Sequence, residues 1–199
     1  MKNNLKYSLL VVLIGITLFS FTESITSLDY EVLTAKSEVK WTGRKPGGEH
    51  TGTVDLKSGS FSIENDIITS GSFVLDMTSI KVTDSESQKL LNHIKSEDFF
   101  NVQKYTESKL VITSGKSTAV DDKGKHTLEL TGNLTILDKT LPITFTAKNT
   151  AKTENFMVYS SSITIDRTKY GITYKSSLLG DAMINDEFDM DIKLFAKKK

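Results

Sequence analysis

The sequence predicts an all-β fold, an antiparallel sandwich or barrel. Three observations carry that reading: period-two hydrophobicity in most segments, turn residues at regular intervals, and no cysteine to hold a smaller core together. LELTGNLTIL is the first clear strand. It sets Leu128, Leu130, Leu134 and Ile136 on one face against Glu129, Thr131, Asn133 and Thr135 on the other. After a turn at Asp138-Lys139, LPITFTAK repeats the pattern with Leu141, Ile143, Phe145 and Ala147. EFDMDIKLFA alternates Phe188, Met190, Ile192 and Leu194 with Asp189, Asp191 and Lys193. Weaker alternation runs through SEVKW, GTVDL, GSFSI, GSFVLDM, SKLVIT, NFMVYSS and SITID. Turns are expected at Lys57–Gly59, Glu64–Asp66, Ser70-Gly71, Asp121–Gly124 and Lys152–Asn155.

One segment departs from this period. SESQKLLNHIKSEDFF spaces Leu90, Leu91 and Ile94 as a helix does, and Ser85 with Gln88 has capping-box spacing. A short helix over residues 85–95, lying across one end of the sheet, is the expectation.

The N-terminus reads differently. Lys2 and Lys6 precede an apolar run of 13 residues, Leu9–Phe21, which suits a secretory signal over residues 1–24. The run is shorter than the roughly 20 residues of a permanent span. Residues 25–199 then form one domain, periplasmic or secreted and with no permanent membrane span after cleavage. Without Lys2, Lys6 and Glu23, the 25 basic and 25 acidic residues become 23 and 24, a net charge of −1. That balance argues against nucleic acid as a partner. Lys197–Lys199 reads as a solvated tail.

Catalytic chemistry is hard to find. Gly43 and Gly48 have phosphate-loop spacing, but Glu49 and His50 follow where Lys and Ser or Thr are needed. Pro46-Gly47-Gly48 is turn chemistry between two strands. His50, His93 and His126 lie 43 and 33 residues apart, and no pair has metal-ligand spacing. There is no nucleophile elbow and no thiol. NDEFDMD lacks the glycine and closing glutamate of a calcium loop, and its acids read as the polar face of a strand with lysine partners opposite. No catalytic residue, metal or cofactor is assigned. Aromatic residues are spread over most strands, and a barrel of about eight strands is either packed solid or holds one small apolar ligand.

Five segments in order carry a family resemblance: EVKWTGRKPGGEHTGTVDLKSGSF, SEDFFNVQKYTESKLVITS, LTGNLTILDKTLPITF, DRTKYGI and LGDAMINDEFDMDIKL. Together they resemble the YceI-like family of secreted bacterial polyisoprenoid-binding proteins, over about residues 28–196. The resemblance implies a lipocalin-like antiparallel β-barrel with a helix near its opening. It also implies a hydrophobic pore holding an isoprenoid quinone, a prenyl phosphate or a fatty-acid-like lipid, and often a homodimer. Thr106, Leu110, Lys169 and Tyr170 depart from the family's usual Pro, Phe, Asp and Phe.

Strand parity within such a barrel points Trp41, Phe73, Leu75, Leu110, Leu134, Ile136, Phe145, Ile165 and Ile172 inward. Phe99, Phe100 and Tyr170 are expected to line or close the mouth. Arg44, Lys45, His50 and Arg167 are the candidates to meet a polar head group. Binding and carriage of a lipid is the leading expectation. A lipid-modifying enzyme using His50 or the acidic strand, and a packed barrel that binds a protein partner, are the alternatives.

Overall fold

A computed structural model describes residues 27–179 and 183–199. The expected signal, residues 1–24, lies outside the described residues.

Nine strands form one antiparallel sheet among the described residues: β1 (Leu28–Val32), β2 (Glu38–Lys45), β3 (Gly48–Glu64), β4 (Ile67–Val82), β5 (Glu107–Val120), β6 (His126–Ile136), β7 (Lys139–Lys152), β8 (Phe156–Asp166) and β9 (Glu187–Lys198). β2 through β9 pair in sequence, and β9 pairs back onto β2, so the sheet closes on itself. β1 also lies between β3 and β9, so β1 and β2 occupy one position of an eight-position barrel, joined through a single 3₁₀ turn at Thr34–Lys36. Closure removes the exposed edges that a nine-stranded open sheet would present.

The tight turns follow local chemistry. Pro46-Gly47 joins β2 to β3, with Gly47 at φ 80° as a type II turn requires. Asn65 and Asp66 both take positive φ, 50° and 65°, matching the twist of the β3–β4 hairpin. The β6–β7 turn is Leu137-Asp138, one residue earlier than expected, because Lys139 already pairs with Ile136.

Two expected turns are instead inside strands. Lys57–Gly59 sits in β3, where the register shifts between Leu56 and Ser58, and Ser70-Gly71 is paired within β4. Strands of 17 and 16 residues must bend to follow a closed barrel, and a bulge supplies the bend that the sequence advertises as a turn. The lysine tail is also corrected: Lys197 and Lys198 extend β9 and pair with Glu31 and Tyr30.

The helix, α1, covers Gln88–Lys95. Its cap is Ser87 rather than Ser85, with Ser87 Oγ accepting from the Leu90 amide at 3.2 Å. Gln88 donates forward to Asn92 instead of back to a cap. Ile94 anchors the helix in the barrel's core at one end.

The opposite end is packed solid. Tyr30 stacks on Phe61 with ring centres 5.4 Å apart, and Tyr159 meets Phe61 edge-on at 5.9 Å. Lys152 of β7 pairs with Asp66 of the β3–β4 turn; these strands are not neighbours, so the ion pair bridges this closed end.

Candidate functional site

Between the closed end and α1 the barrel encloses a cavity of about 250 Å³. Phe61, Ile68, Ala147 and Tyr159 form its floor, and the wall rises along the inward faces of β2 to β9. Trp41, Phe73, Leu75, Leu110, Leu134, Ile136, Phe145 and Ile165 all lie on that wall, and Phe99 and Phe100 lie at the mouth. Tyr170 and Ile172 do not line the cavity. They are 3% and 2% exposed and packed in the core near Arg167.

The wall has members that parity counting missed. Met190, Ile192 and Leu194 continue the alternation of β9 from Phe188, and Val39 shares a face with Trp41; their signal was present in the period. Leu56 and Phe61 both face inward although they stand five positions apart, an odd spacing that puts strand residues on opposite faces. The β3 bulge lies between them and inverts the parity; the turn signal at Lys57–Gly59 marked the place but not the inversion.

Four segments make the mouth: the β2–β3 hairpin from Gly43 to His50, α1 with Leu90 and Ile94, Phe99-Phe100, and Ile184–Phe188. Arg44, Lys45, His50 and Arg167 all belong to this rim. Arg44 Nη1 donates to Asp189 Oδ2 at 2.6 Å, and its Nε is 3.4 Å from Glu49. Thr164 Oγ1 donates to the same Asp189 carboxylate at 2.6 Å, and these two hydrogen bonds hold the Asp189 carboxyl below the usual range. Arg44, not a lysine, is thus the partner that the acidic strand finds at this position. His50 Nδ1 lies 3.1 Å from Asp84. Burial raises the Asp84 carboxyl, but hydrogen bonds from the Thr51 backbone and His50 outweigh it, so its pKa is lowered.

Arg167 is different in kind. It is 4% exposed, and its guanidinium donates to three backbone carbonyls: Nε to Asn185 at 3.0 Å, Nη1 to Ile172 at 2.7 Å and Nη2 to Ile184 at 3.0 Å. Burial lowers its pKa, opposed by Asp186 and Asp166. A guanidinium remains charged at any ordinary pH, so these carbonyls replace the water it has lost. Asn185 in turn donates its amide to the Arg44 carbonyl at 2.9 Å. Arg167 therefore holds the rim together, and its donors point into protein.

His93 shows a comparable structural use, with Nε2 3.0 Å from Asp98 and its ring edge-on to Phe99 and Tyr174. Among the described residues no three His, Asp or Glu side chains gather as a metal site, and no helix is long and apolar enough to cross a membrane.

A model of the YceI-like domain matches residues 30–196. A UPF0312 protein of Vibrio parahaemolyticus is 37% identical over 99 residues, 49% of this chain and 48% of that protein. The match therefore spans about half the length of this curated relative. A UPF0312 protein of Shewanella is 28% identical over 141 residues, 68% of this chain and 69% of that protein. A polyisoprenoid binding domain from Saccharophagus degradans superposes with a TM-score of 0.65 at 14% identity, covering 86% of this chain and 99% of that one. BcnA of Burkholderia cenocepacia gives 0.62 at 16% identity, covering 82% and 98%. At such identities the likeness is one of fold.

Proposed function

We propose that this chain, which belongs to the YceI-like family, is a binding protein that holds an isoprenoid or other long-chain lipid in its barrel, for storage or transport outside the cytoplasm. The observation that carries this reading is the apolar cavity, closed at the Tyr30–Tyr159 end and open past α1. Its volume, about 250 Å³, is just under that of ordinary small-molecule pockets, roughly 300–1,000 Å³. A long tail fills it and leaves its head at the rim.

The driving force is burial of the tail. Ten methylenes contribute about 8 kcal/mol at roughly 0.8 kcal/mol each, on the order of micromolar affinity before ordering costs. No polar constellation is needed for that, which suits a wall built almost wholly from Leu, Ile, Val, Met and aromatic side chains. Binding, rather than catalysis, also suits a rim on which Asp189 engages Arg44, Asp84 meets His50 and backbone carbonyls hold Arg167. Export is supported by the signal-like segment Leu9–Phe21.

Native mass spectrometry of the protein expressed from its full sequence and purified without detergent tests the reading. The expected result is a mass excess that disappears on organic extraction. A bare mass that stays bare after incubation with prenyl lipids would overturn it.

A further inference from the structure

The cavity has a floor as well as a mouth, and the floor lies at the same depth on several strands. The lining runs from Ile136 down to Leu130 on β6, from Ile165 to Tyr159 on β8 and from Phe188 to Leu194 on β9. In each run the two ends stand six positions apart.

At its deep end each run stops against another inward side chain two positions further on. Leu128 lies beyond Leu130, Met157 beyond Tyr159 and Ala196 beyond Leu194, and on β3 Ile63 lies beyond Phe61. These four are 2% exposed or less, and none of them lines the cavity. Two positions along a strand return to the same face, so they form the next layer of the same interior, filled by side chains. A tail passes that layer only by breaking the Tyr30–Phe61 stack and the edge contact of Tyr159 with Phe61.

Depth and volume each limit the tail. At about 3.3 Å per residue and a strand tilt of roughly 35–45°, six positions descend about 14–16 Å along the barrel axis. With C–C bonds of about 1.5 Å, an extended chain advances about 1.25 Å per carbon, so that depth takes roughly eleven to thirteen carbons. The volume, about 250 Å³, holds roughly eight methylenes if each needs about the 30 Å³ of a water in the liquid. Folding back offers no escape, because a second limb needs volume that the first has used.

We propose that Phe61 and Tyr159 gauge tail length, an inference that rests on the lipid-binding reading above. The barrel buries one chain of roughly eight to thirteen carbons and leaves the surplus of a longer one outside, past α1.

Equilibrium dialysis against radiolabelled straight-chain 1-alkanols of six to eighteen carbons tests this, since it reads affinity from the free concentration. Each methylene taken in is expected to tighten binding about fourfold, and each one beyond the limit by less than about twofold. Ala147→Leu raises the floor and is expected to move the break to chains shorter by about three carbons. Tyr159→Leu lowers the floor and is expected to move the break to longer chains; if that variant does not fold, Ala147→Leu decides alone. A gain that continues undiminished to eighteen carbons overturns the gauge, and so does a break that Ala147→Leu leaves in place. Failure of every alkanol and of the C15 and C20 prenyl alcohols to bind would instead overturn the lipid-binding reading.

Discussion

The Trp41 indole packs against Gly52, its pairing partner across β2 and β3, so closely that a Cβ at residue 52 would stand 2.4 Å from Cζ2 and 2.5 Å from Cε2. The same Cβ would meet the Lys81 carbonyl oxygen at 1.9 Å. The ring can swing away, but the β4 backbone cannot. Gly52→Ala is expected to destabilise the fold by at least about 2–3 kcal/mol and to shift the Trp41 emission, both read in a urea titration. An unchanged midpoint would show that β4 yields there.

Arg167→Met should cost about 3 kcal/mol or more, because it leaves the carbonyls of Ile172, Ile184 and Asn185 without their donor. Arg167→Lys restores the charge but not the three-way fork, and recovers little. Hydrogen exchange at the Ile184 and Asn185 amides, which donate to Lys175 and Arg44, should quicken in both variants.

The acid limb of stability has an assignable contributor. Hydrogen bonds from Thr164 and Arg44 depress the Asp189 pKa in the folded state. Its contribution is therefore present above the unfolded value, roughly 3.9, and is lost as pH falls through the lower folded value. Asp189→Asn should be less stable than the parent at pH 7, and the difference should shrink below about pH 4. A difference independent of pH would remove the linkage.

Tyr159 governs the alkaline side. Burial pushes its phenol up to about 12. The unfolded chain gives up that proton near ~10, so the contribution is whole below pH 10 and is lost as pH rises toward 12. At most about 2–3 kcal/mol is at stake for a two-unit shift. Tyr159→Phe should flatten the fall in stability between pH 10 and 12.

Leu110 packs against both groups of buried side chains, at the middle of the cavity. Leu110→Trp places an indole in that space. Stability should change by no more than about 1 kcal/mol, since a void receives the added volume. Affinity for a long-tailed lipid should fall at least tenfold in calorimetry. Undiminished binding would place the ligand elsewhere.

Period-two patterning determined the strands, the inward residues of β6 and β9, and the helical interruption, because side-chain alternation is a property of each strand alone. The apolar wall was legible for the same reason at Trp41, Leu110, Leu134 and Phe145. Only the tertiary structure decided the rest. The bulge after Leu56 inverts the parity of β3 and brings Phe61 to the floor, an outcome set by how a 17-residue strand bends around a barrel. The sequence offered Arg167 as a free cation; its burial under carbonyls five to eighteen residues away is a packing event. Whether the interior is filled or hollow was equally beyond the sequence, since a cavity of about 250 Å³ is the small difference between the volume a closed sheet encloses and the volume its side chains occupy.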